Sequence, residues 1–97
     1  LVISREDFIF AIGFDGAEAV VDGRAKREFG KLSIRELTEA GQWRAAFAAA
    51  LWSGKDEDIQ EFRSLYNRAS GSDYKTVDEL KRLFGVQKEE IAKALVL

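Results

Sequence analysis

The chain has 97 residues, with 15 basic and 17 acidic side chains and a formal net charge of -2. That length suits one domain with one core, and an apolar content of 46% excludes disorder over the whole chain. Cysteine and histidine are absent, which removes disulfide frameworks, thiolate zinc sites and imidazole catalysis or ligation.

Segment 8–22, FIFAIGFDGAEAVVD, carries two apolar runs, Phe8–Ile12 and Ala17–Val21. They flank Gly13-Phe14-Asp15-Gly16. Aromatic and β-branched residues around an Asp-Gly pair predict a β-hairpin. A helical alternative stays open at its start, because Ser4-x-x-Asp7 can cap a short helix through Phe8–Ile12. Segment 23–32, GRAKREFGKL, is basic and contains two glycines. It reads as a loop with one helical turn.

Ser33-x-x-Glu36 is a capping box, in which serine and glutamate each satisfy a free backbone N–H. It opens a helical region over 34–52, with Ile34, Leu37, Ala40, Trp43, Phe47 and Leu51 at steps of three and four. Gly41 costs about 1 kcal/mol in a helix interior, so two pieces, 34–40 and 42–52, are the alternative. Every residue from Ala45 to Trp52 is apolar. A helix apolar on all sides is buried on all sides, so 42–52 is expected at the centre of the core.

The next helix is expected over 56–70. Asp56, Glu57 and Asp58 suit its positive N-terminal end, and Ile59, Phe62, Leu65, Tyr66 and Ala69 form one apolar stripe. Thr76-x-x-Glu79 is a second capping box and opens a helix over 76–84, ended by Gly85. A last helix is expected over 88–95, with Ile91 and Leu95 inward and an edge strand over 94–97 as the alternative. The fold class is therefore α+β: one domain, 1–97, with an N-terminal hairpin packed on three to four helices.

Residues 76–95 resemble the generic helix-turn-helix pattern. Leu80 and Phe84 precede a turn at Gly85-Val86, and Ile91 follows six residues after the glycine. The resemblance implies that Gln87, Lys88 and Lys93 face nucleic acid. Lys81 stands where the pattern has a small residue, Ala94 where it has a larger apolar one, and Glu89 and Glu90 would oppose phosphates. The overall charge also argues against a dedicated nucleic-acid binder. Residues 1–52 carry 7 basic and 8 acidic side chains and residues 53–97 carry 8 and 9, so each half is -1.

Arg24, Lys26, Arg27, Lys31 and Arg35, offset by Glu28 alone, give +4 over residues 24–35. This cluster is a candidate site for an anion or an acidic partner; the alternative is ion pairing with the acidic Asp56–Glu61 face. Arg44 falls on the apolar arc of its helix. Its stem is expected on the core, with the guanidinium reaching water, Glu36 or Glu39; a buried anion clamp is the functional alternative. Trp43 and Trp52, nine residues apart, point to opposite sides of a helix, and an exposed one would mark an interface.

Asp15, Glu18 and Asp22 do not have calcium-loop spacing, and no phosphate-binding glycine motif occurs. No metal and no cofactor are expected. The longest apolar run is far short of the roughly 20 residues that span a bilayer, and LVISRED does not read as a signal peptide. Gly41, Trp43, Ala46 and Ala50 give 41–71 the character of a helical-repeat hairpin, but no second copy follows. These features together predict a cytoplasmic, non-enzymatic module that binds a protein partner or a second copy of itself. DNA binding through 76–95 is the alternative.

Overall fold

The computed structural model describes residues 3–15, 18–86 and 93–97, the side chains of 14, 15 and 93 excepted. Among these the chain forms six helices and one three-stranded sheet, an α+β fold. In order they are α1 (Arg5–Ile9), β1 (Ala11–Asp15), β2 (Glu18–Val21), α2 (Gly23–Phe29), α3 (Ile34–Glu39), α4 (Trp43–Ser53), α5 (Asp56–Ser70), α6 (Val77–Phe84) and β3 (Lys93–Val96).

The N-terminal region uses both of its readings. Ser4 Oγ accepts from the Asp7 N–H and starts α1, so Phe8 and Ile9 are helical and the hairpin is confined to β1 and β2. The basic segment departs from expectation: residues 23–29 are a helix, not a loop. Its determinant is Asp22, whose side chain accepts from the Ala25 N–H and caps α2. Glycine at the first position of α2 has a packing reason. A Cβ on Gly23 would run into the Leu97 carbonyl oxygen at the end of β3.

Gly41 divides the 34–52 region. It holds φ +75°, and the Gln42 N–H reaches back to the Leu37 carbonyl while the Gly41 N–H reaches Thr38. That pair of bonds is the Schellman stop, which favours a left-handed glycine. The glycine is thus not a weak point inside one helix; it ends α3 and lets α4 leave at a new angle.

α4 is the hub. All residues from Ala45 to Leu51 are buried, and the helix touches α1, α3, α5 and α6. The small Ala45, Ala46, Ala48, Ala49 and Ala50 allow close approach on every side. Phe47 supplies bulk, meeting Phe62 of α5 at 5.4 Å and Phe84 of α6 at 5.5 Å between ring centroids. The loop after α5 is held by Asn67, which accepts from the Tyr74 N–H and donates to its carbonyl.

Both capping boxes form as expected. Hydrogen bonds from Ser33 hold the Glu36 carboxyl below the ordinary glutamate range, and bonds from the Lys75 and Thr76 region do the same for Glu79. A carboxylate with a lowered folded pKa adds stability above its unfolded value, about 4.3, and loses it as pH falls through the folded value. The Glu36→Gln/Glu79→Gln double variant keeps acceptors at both boxes but cannot titrate there. Its unfolding midpoint should fall less steeply than the parent's below about pH 4.3; parallel curves by circular dichroism would refute this.

The C-terminal region also differs from expectation. The helix expected over 88–95 is absent from residue 93 onward, where β3 runs parallel to β2. Residues 88–92 lie outside the described residues. The alternating side chains of the KALV segment explain the strand. Ala94 packs on the core while Leu95 points the other way, and period two is the strand period.

Candidate interaction surface

The sheet order is β1-β2-β3, with β1 antiparallel and β3 parallel to β2. One face meets the helices through buried Ala11, Ala19 and Val21, joined by Ala94. Residues on the other face follow from the register. Val20 lies between Gly13 and Leu95, and Glu18 lies beside Lys93.

The two edges of this sheet are finished differently. The Leu97 N–H donates to the Val21 carbonyl at 3.0 Å. Backbone polar groups alternate along a strand, so Val21, Leu95 and Leu97 turn theirs into the β2–β3 ladder. Ala11, opposite Val21, therefore turns its carbonyl away from β2, to the outer edge of β1. Arg44 meets it there. Its Nη1 donates to the Ala11 carbonyl at 2.7 Å, and its Nε donates to the Phe84 carbonyl at 3.1 Å. The register also shifts between Ala11 and Gly13, a bulge that bends the edge of β1 away from a regular ladder.

Among the described residues, β3 has neither device. Its register with β2 is regular from Lys93 to Val96. By the same alternation, Ala94 and Val96 turn their N–H and C=O groups outward. Leu95, Val96 and Leu97 are 48%, 43% and 67% exposed. Edge strands in folded proteins are commonly blunted by charge, proline, a bulge or a cover; the charge here is Lys93 at one end. Among the described residues no further strand pairs with this edge, so the segment turns backbone groups outward beside apolar side chains.

Of the residues singled out in the sequence, Lys93 and Arg44 meet this sheet, and the others lie elsewhere. Arg24, Arg27 and Lys31 are exposed along α2 and just after it. Lys26 pairs with Asp7 at 2.7 Å, a charge contact without hydrogen-bond alignment, and Arg35 pairs with Glu61 at 2.7 Å. The Arg35 pair is the contact expected of the acidic face. Trp43 packs edge-on against Phe62 and Tyr66, and Trp52 lies 5.3 Å from Phe8; both are half-buried against the core. Arg44 does not reach Glu36 or Glu39: it binds backbone carbonyls instead. Burial lowers its pKa.

Gln87 and Lys88 lie outside the described residues, and Lys93 opens β3 rather than continuing a helix. Asp22 is occupied as the cap of α2. Among the described residues no group of acidic side chains is placed to hold a metal ion, and no helix is long and apolar enough to cross a membrane. A cleft of about 340 Å³ opens between the start of β1 and the start of α4, lined by Phe10, Ile12, Asp22, Gln42, Trp43 and Arg44. Its arginine is already engaged with two carbonyls.

Leu95, expected inward on a helix over 88–95, is exposed on a strand instead, and Leu97 is exposed beside it. Their signal was the alternation of the KALVL tail, which marks a strand but not which face of it is covered. Comparison of the chain with protein-family models, with curated proteins and with solved structures finds no match.

Proposed function

We propose that this chain is a protein-interaction module that takes up an extended strand along the free edge of β3. The observation that carries the reading is the contrast between the two sheet edges. β1 is bulged and its Ala11 carbonyl is taken by Arg44; β3 is regular, has no strand on its outer side among the described residues, and is flanked by exposed Leu95 and Leu97. Strand addition draws affinity from main-chain hydrogen bonds and specificity from alternate side chains, and β3 offers both. A chain without cysteine suits a reducing, cytoplasmic setting for such a module. Histidine and cysteine are absent, so a binding role asks least of the side chains present.

Hydrogen exchange tests the reading. Addition of a short peptide of alternating valine and threonine should slow exchange of the Ala94 and Val96 amides at least severalfold. Val96→Pro removes an outward N–H and leaves the ladder to β2 intact, since proline is tolerated where its missing N–H faces outward. The protection at Ala94 should vanish in that variant. Unchanged amides in the parent at millimolar peptide would refute strand addition.

A further inference from the structure

We infer that the strand taken up by β3 is β3 of a second copy, paired antiparallel about a two-fold axis through Leu95. This rests on the reading of β3 as an open edge and adds the identity of its partner. The register follows from the groups turned outward. With Leu95 on the axis, Ala94 faces Val96 of the other copy and Val96 faces Ala94. Each such pair exchanges two N–H···O=C bonds, so four bonds form. Leu95, whose backbone groups belong to the ladder with β2, meets its own copy as a non-hydrogen-bonded pair, where side chains come closest. Among two-fold registers this one overlaps all five residues from 93 to 97.

The side-chain row favours a second copy as occupant. Val20 neighbours both Gly13 and Leu95. Pairing across the axis continues that row as Gly13, Val20, Leu95, then Leu95, Val20 and Gly13 of the other copy. One six-stranded sheet results, with an apolar stripe across its middle. The two Lys93 residues stay apart: each is two residues from the axis, so they are roughly 14 Å apart along the strands, beyond the Debye length of about 8 Å at physiological salt.

The absence of cysteine makes a crosslinking test clean. In the two-fold register the Leu95 Cα atoms are about 4.5 Å apart, within the range of about 4.4–6.8 Å that a disulfide spans. The Leu97 Cα atoms are about 14 Å apart, well beyond it. Leu97 is the more exposed of the two, so random collision would favour crosslinking at 97. Under mild oxidation, Leu95→Cys should form a disulfide-linked dimer at least tenfold faster than Leu97→Cys. Adding Val96→Pro to the Leu95→Cys variant should remove that advantage. Light-scattering mass of the parent should rise with concentration toward twice the chain mass. Crosslinking at 97 as fast as at 95, or a constant monomer mass up to millimolar concentration, would overturn the second copy as partner. Peptide protection of Ala94 and Val96 in the same samples would then leave strand addition standing with a different partner; its loss as well would remove both.

Discussion

Phe62→Ala should lower the unfolding free energy by about 3–5 kcal/mol, the range for deleting a buried phenylalanine ring. The ring is fully buried and sits among Trp43, Phe47, Tyr66 and Phe84, with centroid distances of 5.4–6.1 Å. Its removal leaves a cavity at the junction of α4, α5 and α6. The backbone around it is poorly able to collapse, because α4 is packed on all sides. Small domains have about 5–15 kcal/mol of stability in total, so the variant should retain the fold with a much reduced urea midpoint. Leu65→Ala, on the same helix but only half-buried, is the control and should cost less than half as much. Equal losses at the two positions would mean that the aromatic junction is not where the helices are held together.

The aromatic junction was legible because α5 has a clean 3.6-residue stripe. Phe62 and Tyr66 fall on it directly, and the run of alanines around Phe47 marks α4 as the element others pack against. Local signals with a fixed spacing survived into the structure: both capping boxes, the left-handed stop at Gly85, and the Asp56 start of α5. Segment 23–29 was not legible as a helix, since its cap, Asp22, sits at the end of a strand and its glycine is set by the Leu97 carbonyl, a contact 74 residues away in the chain. The strand character of 93–96 was weakly legible for a related reason. A four-residue strand has little periodicity of its own, and its pairing with β2 is a long-range choice. The place of β3 at the edge of the sheet follows only from the register of all three strands.

Arg44→Met isolates the polar work of the side chain, because methionine keeps an apolar stem against the core. Arg44 donates from Nε to the Phe84 carbonyl and from Nη1 to the Ala11 carbonyl. One planar guanidinium thereby fastens the end of α6 to the edge of β1. Hydrogen bonds from charged donors contribute about 1.5–3 kcal/mol each, and water in the neighbouring cleft would satisfy part of what the substitution leaves open. The combined loss should be about 2–4 kcal/mol. Arg44→Lys should fall between parent and Arg44→Met, since an ammonium is a point donor and lacks the rigid fork that spans both carbonyls. Burial lowers the arginine pKa, but the group stays protonated across the accessible range, so the loss should be the same at pH 6 and pH 8. The substitution has a second expected effect. With the Ala11 carbonyl uncapped, β1 loses one of the two devices that distinguish its edge from that of β3, and exchange at the Phe84–Val86 turn should quicken with it. An Arg44→Met variant as stable as the parent in urea would show that the two carbonyls are satisfied without the guanidinium, and that the bulge alone closes the β1 edge.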